Sequence, residues 1–233
     1  MQISKRLKTV ADMITRGNVL ADIGTDHGYV PIYLVKEGKV PGALAMDIGK
    51  GPLEKAIANI KKEGLSEYIE TRLSDGLDKL NVGEADSILI AGMGGELMIK
   101  ILSAAPEKCL AAKELILSPH SQINLVRKYL KKELYGIEKE TMVKDEGKYY
   151  TILKVLPKGK AAKQDSLDDY TEAELRYGRR LIEEKSPVFL EYLEKEKAGY
   201  ERIKKMLEDA PGTQVKDRLS EVKKELEWIE SIR

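Results

Sequence analysis

From Val19 to Leu156 short apolar runs alternate with stretches in which apolar residues return every three or four positions. The runs Val19–Ile23, Gly42–Ile48, Ile69–Ser74, Asp86–Ala91 and Glu114–Ser118 read as buried strands. Helical spacing fills the intervals: Ser4–Ile14 before the first strand, then Val30–Glu37, Pro52–Glu63, Glu96–Ala104 and Gln122–Leu134. Ser4 stands where a helix N-cap belongs, and Pro31 falls in a first turn, where its missing N–H costs little. Tyr135–Val143 and Tyr149–Leu156, parted by Lys144-Asp145-Glu146-Gly147, read as a closing antiparallel pair. The alternation predicts an α/β fold: a Rossmann-like, doubly wound, mostly parallel sheet with an antiparallel edge.

The pattern changes at Pro157. Residues 157–166 are polar and aperiodic, which predicts a linker between a sheet domain, residues 1–158, and a C-terminal domain, residues 166–233. In the second domain strands vanish. Val215, Leu219, Val222, Leu226 and Ile229 form a heptad seam, and Phe189, Leu193, Tyr200, Ile203 and Leu207 face it from an earlier helix, with Glu196 interrupting. Ala210-Pro211-Gly212 between them predicts a turn, so a helical hairpin or short coiled coil is expected.

Composition narrows the class. Of 233 residues 42% are hydrophobic and 34% charged, and no apolar run reaches the ~20 residues of a membrane span. Met1–Leu7 is polar and lacks a signal-like apolar stretch, and Cys109 is the single cysteine, so a reducing cytoplasm is the expected location. One thiol and two histidines offer no structural zinc set, and no metal is expected. The net charge of +1 divides into −3 from Ser166 onward and +4 before it. A monomer or weak homodimer is expected.

Candidate chemistry lies at the carboxyl ends of the predicted strands, where open parallel sheets bind ligands. The first strand runs into Gly24 and Gly28 rather than the G-x-G-x-x-G of a dinucleotide site, which argues against a nicotinamide oxidoreductase. Gly24 and Gly28 fit the looser loop that wraps the amino-acid part of S-adenosylmethionine. Asp22 sits where a carboxylate can meet a cationic amino group. Asp47 can accept from both ribose hydroxyls, and Asp75, before Gly76, from an adenine amino group. The fourth strand ends in Ala91-Gly92-Met93-Gly94-Gly95.

These stretches, Ala21-Asp-Ile-Gly-Thr-Asp-His-Gly-Tyr-Val-Pro31, Ala45-Met-Asp47, Ser74-Asp-Gly76 and Ala91–Gly95, with Gly147-Lys-Tyr-Tyr150, resemble the bacterial tRNA (adenine-22-N1)-methyltransferase family, TrmK. The chain departs from the usual family pattern at Ser118-Pro119-His120 and at Gly28. The resemblance implies methyl transfer from S-adenosyl-L-methionine to N1 of an adenine in the tRNA D-arm region. It implies a cofactor site built from Asp22, Gly24, Gly28, Asp47, Ile48, Asp75, Gly76 and Ala91. Asp26 would hold the adenine amino group or the developing charge, with Gly92, Met93 and Gly94 lining the methyl-transfer side. Tyr29 and His120 are candidate contacts to the substrate base. Lys5, Arg6, Lys8 and Arg16, with Arg127, Lys128, Lys131 and Lys132, are expected to grip tRNA, and Arg176, Arg179 and Arg180 form a further basic row. A methyltransferase for another RNA base, or a cofactor-binding scaffold with an idle site, are the competing readings.

Overall fold

A computed structural model describes residues 3–162, 166–208 and 213–233. The turn at Ala210-Pro211-Gly212 and the centre of the linker, residues 163–165, lie outside the described residues. The chain divides into two compact units, residues 1–171 and 172–233.

The first unit is a seven-stranded sheet in the order β3-β2-β1-β4-β5-β7-β6. β1 (Leu20–Ile23), β2 (Ala43–Asp47), β3 (Ile69–Leu73), β4 (Ser87–Ala91) and β5 (Glu114–Ser118) are parallel, and β6 (Gly136–Asp145) and β7 (Lys148–Leu156) close the edge antiparallel. Strand order reverses between β1 and β4. Right-handed crossovers therefore place successive helices on opposite faces and open a crevice at that switch point. One face packs Leu20, Ala45, Leu89, Ile116 and Ile152 against α1 (Lys5–Met13), α2 (Tyr29–Lys36) and α3 (Lys50–Lys62). Alternation turns Ile88, Ile90, Leu115 and Leu117 to the other face, where they are equally buried. That side carries α4 (Gly95–Ala104), α6 (Ile123–Lys132) and a helix the periodicity did not announce, α5 (Pro106–Ala111), which buries Cys109.

Helix α1 is fastened at both ends, and this places its first turn at the crevice. Ser4 Oγ accepts from Leu7 N at 3.2 Å, while Asp145, at the tip of the β6–β7 hairpin, accepts from Arg6 N at 3.0 Å. Beyond its C-terminal end, buried Glu114 accepts from Thr15 N (2.8 Å), Thr15 Oγ1 (2.6 Å) and Ser87 Oγ (2.7 Å) and pairs with Lys154 at 3.0 Å.

The boundary falls later than the linker composition suggests. Ser166 bridges to Gly136, and Leu167 and Tyr170 are buried within the first unit, so residues 166–171 belong to the sheet domain. The second unit holds two short helices missed in the pattern, α7 (Glu172–Tyr177) and α8 (Arg179–Glu184), then α9 (Pro187–Glu208) and α10 (Thr213–Ile232). Helices α9 and α10 run antiparallel, with Lys197 paired to Glu230 and Arg233 to Glu194, and the seam buries Phe189, Leu193, Val222 and Ile229. Glu196 interrupts that seam because it answers Arg176, whose guanidinium also pairs with Glu225 at 2.9 Å and donates to Tyr200 Oη at 2.9 Å. The basic row expected here is spent inside the unit: Arg179 pairs with Glu174 and Arg180 with Glu183.

Candidate active site

The loop after β1 is shaped by its backbone. Gly24 and Thr25 donate their N–H groups to Met46 O at the end of β2, and Gly24 takes φ +76, which a side chain rarely adopts. A Cβ on Gly24 would also lie 2.3 Å from Met93 Cε, so the missing side chain keeps space open between the first and fourth strand ends. Just before the loop, Asp22 is buried with 7% of its surface exposed. Burial pushes its carboxyl up to about 7; nearby Asp47 adds repulsion and the Thr25 hydroxyl partly offsets both. A buried carboxylate of this kind gains strongly from a cation.

The same loop presents Asp26 outward, its side chain 79% exposed. His27 (φ +62) stacks on Tyr29 with ring centroids 5.2 Å apart, places Nε2 3.2 Å from Asp26 Oδ1, and accepts at its carbonyl from Asn59 Nδ2. The histidine is thus tied into the loop that carries Asp26. Gly28, at φ +70, begins α2 with no side-chain cap.

At the end of β2, Asp47 Oδ1 accepts from Gly49 N at 2.7 Å, and Ile48 beside it is 67% exposed. Asp75 and Gly76 follow β3, where Ser74 N donates to Asp47 O and so joins the second and third strand ends. The loop after β4 is bonded to the loop after β5: Gly92 N donates to Ser118 O, His120 N to Met93 O at 2.8 Å, and Gly95 N to Ser121 O. Gly95 permits this approach, since a Cβ there would meet Ser121 O and Gln122 O at 2.8 Å.

Arg6 of α1 overhangs this pair of loops. Its Nη1 donates to His120 Nε2 at 2.6 Å and its guanidinium lies 5.1 Å above the Tyr150 ring. His120 is tilted against Tyr150 with centroids 5.4 Å apart. Partial burial, Arg6 and Lys148 all press the His120 pKa below the ordinary histidine value, so the ring is neutral and takes the guanidinium proton as an acceptor. Tyr150 entered the sequence reading only as part of a motif and Asp145 only as a turn residue. Their link to Arg6 joins residues far apart in the chain, and no local periodicity announces it.

These elements enclose a cleft of about 360 Å³. Asp22, Gly24, Asp26, Tyr29 and Asp47 line it from the first two strand ends; Ala91, Gly92 and Met93 line it from the fourth; Arg6 and His120 close it from the side. Gly28, Ile48, Asp75, Gly76 and Gly94 stand in the adjoining loops outside that lining. Lys5 is exposed on α1, and Lys8 is paired with Asp12 at 3.1 Å. Arg127 is a correction. Only 1% of its side chain is exposed, and it pairs with fully buried Glu140 at 2.8 Å, so it holds α6 to β6 and cannot reach a tRNA. Among the described residues no cluster of histidine, cysteine and acidic side chains could hold a metal ion, and no helix is long and apolar enough to cross a membrane.

Comparison with known proteins gives the family. The family described as "Methyltransferase domain" matches residues 3–153. The tRNA (adenine(22)-N(1))-methyltransferase of Bacillus subtilis is 36% identical over 233 residues, covering 100% of this chain and 97% of the relative. The crystal structure of the B. subtilis m1A22 tRNA methyltransferase TrmK superposes with a TM-score of 0.89, covering 99% of this chain and 98% of that one at 36% identity. A Streptococcus pneumoniae structure in complex with S-adenosyl-L-methionine gives a TM-score of 0.84 at 31% identity, with 99% of each chain covered. With a glycine-shaped cleft at the switch point of its sheet and full-length likeness to these relatives, the chain belongs to the TrmK family of tRNA (adenine-22-N1)-methyltransferases.

Proposed function

We propose that this protein transfers a methyl group from S-adenosyl-L-methionine to N1 of adenine 22 in tRNA. The observation that carries the reading is buried, cation-seeking Asp22 beside Gly24 in a cleft that Asp47, Gly92 and Met93 share. These residues fit the cofactor: Asp22 suits its ammonium, Asp47 its ribose hydroxyls, and the open face of Gly24 the chain between them. When bound, the cofactor supplies a methyl group already activated on a sulfonium.

The protein's own task is then mainly alignment. Adenine N1 carries a free lone pair at neutral pH, so no general base is needed. Holding nucleophile and methyl in line can contribute on the order of 7–11 kcal/mol. The backbone at Gly92 and Met93, fixed by the loop after β5, forms the wall on the methyl-transfer side. Attack leaves the adenine ring positively charged, and the Asp26 carboxylate at the cleft stabilises that charge or accepts from the adenine amino group. The target base must leave its stack to enter, at a cost of a few kcal/mol. Tyr29, stacked on His27 at the cleft, offers an aromatic surface for it. The single cysteine is buried and free, which suits a reducing cytoplasm.

The test is incubation of purified protein with labelled S-adenosyl-L-methionine and unmodified tRNA, followed by nucleoside analysis. Formation of 1-methyladenosine mapped to position 22 is expected. Cofactor binding without any methylated adenine would overturn the substrate assignment.

A further inference from the structure

Three residues of the loop after β1 have positive φ: Gly24 at +76, His27 at +62 and Gly28 at +70. Glycine enters the left-handed region freely, whereas a histidine stays there only under constraint. His27 directly follows Asp26, so its backbone conformation sets the direction in which the Asp26 side chain leaves the loop. The contacts of the His27 ring, a stack on Tyr29 and Nε2 3.2 Å from Asp26 Oδ1, lie within the loop and its own helix, α2. A constraint from outside comes from α3. Ala56 and Asn59 stand three residues apart on one face of that helix, and both reach the loop. A Cβ on Gly28 would lie 3.4 Å from Ala56 Cβ, so helix and loop are in near contact there. One turn further, Asn59 Nδ2 donates to the His27 carbonyl at 2.9 Å.

Among the described residues, Asn59 is the one side chain from another element that hydrogen-bonds to residues 26–28. Asparagine is a weak helix former, because its amide competes for backbone groups, so local propensity does not account for it in the middle of α3. The bond to His27 does. Turning His27 back to the right-handed region would swing its carbonyl off Asn59 and re-aim the neighbouring Asp26. Asn59 itself does not line the cleft, whereas Asp26 does. We propose that Asn59 is a positioning residue for methyl transfer: by holding the His27 carbonyl it keeps the loop in the conformation that points Asp26 into the cleft. It acts on the reaction through Asp26 and touches neither cofactor nor base. The proposal rests on the methyltransferase reading and deepens it.

The experiment is a double-mutant cycle on the full-length protein. Asn59→Asp keeps the shape and loses the donor; Asn59→Ala loses the donor without adding a charge; Asn59→Gln keeps a donor on a longer arm. Each is made in the wild-type and Asp26→Ala backgrounds. The readouts are kcat on unmodified tRNA, S-adenosylhomocysteine affinity by calorimetry, and melting temperature. Asn59→Asp and Asn59→Ala should each lower kcat on the order of ten- to a hundredfold, as a misplaced group does, with S-adenosylhomocysteine affinity retained. Asn59→Gln should recover part of the loss. In the Asp26→Ala background the same substitutions should lower kcat no further, because the two residues act in series. Losses that multiply in the double variants would show independent action and overturn the proposal. So would turnover at the wild-type level in Asn59→Ala, or S-adenosylhomocysteine affinity falling in step with kcat, the mark of a merely structural asparagine. If the wild-type protein forms no 1-methyladenosine, the methyltransferase reading itself falls and takes the proposal with it.

Discussion

Gly24 and Met93 face each other across the cleft so closely that a single methyl group on Gly24 would stand 2.3 Å from Met93 Cε. Met93 Cε is the flexible end of its side chain, so a methyl group on Gly24 would push that tip aside and leave the strand ends in place.

The consequence separates two costs in Gly24→Ala. The strained φ of +76 should lower stability by about 1 kcal/mol. The crowding with Met93 should weaken S-adenosylhomocysteine as well. Adding Met93→Ala should recover part of the ligand affinity and none of the melting temperature. Thermal melts and ligand titrations on both variants check this.

Asp22 makes ligand binding proton-linked. Its carboxyl is raised from 3.8 to about 7 in the fold, so the folded protein holds a proton that the unfolded chain has already released. Stability from this group is therefore greatest at low pH and falls as pH rises from about 4 to 7, then levels off. A cationic ligand group needs the ionised form. Affinity for S-adenosylhomocysteine should rise up to about tenfold per pH unit below 7 and flatten above it. Calorimetry from pH 5.5 to 8 should show the slope, and Asp22→Asn should abolish it together with most of the affinity.

Asp26 should affect turnover and not cofactor affinity. It is exposed at the cleft and is not part of the buried floor. Asp26→Ala should cut kcat on the order of a hundredfold or more, with S-adenosylhomocysteine binding retained. Turnover at the wild-type level would remove Asp26 from the mechanism.

Arg127 should act on stability rather than on RNA. Removing one member of the buried Arg127–Glu140 pair leaves an uncompensated charge, so Arg127→Met should cost about 3–5 kcal/mol. The double variant Arg127→Met, Glu140→Leu should regain most of it. Chemical denaturation measures both, and tRNA affinity of the folded variants should stay at the wild-type value.

The strand ends were legible because buried parallel strands are near-continuous apolar runs, and Asp22, Asp47 and Ala91–Gly95 break those runs at matching places. Arg127 misled for a related reason. It lies in an amphipathic helix among Lys128, Lys131 and Lys132 and reads as one more solvated cation, yet it joins Val126 and Leu130 in the core because Glu140 on a different element awaits it. Pairings of that kind, like Arg6 with His120 and Glu196 with Arg176, are written in tertiary contacts alone. Helix α5 is shorter than two full periods of apolar spacing, so periodicity had too little to work with.

The hydrogen bonds joining Gly92, Met93 and Gly95 to Ser118, Ser121 and His120 also constrain how such a protein can diverge. In the proposed mechanism, a substitution that reshapes the loop after β5 to admit a different base would also move the wall on the methyl-transfer side. Substrate preference and catalytic competence are then inherited as one module. Chimeras that exchange only one of the two loops should lose activity on either parent's substrate, whereas exchange of both carries the donor's preference across.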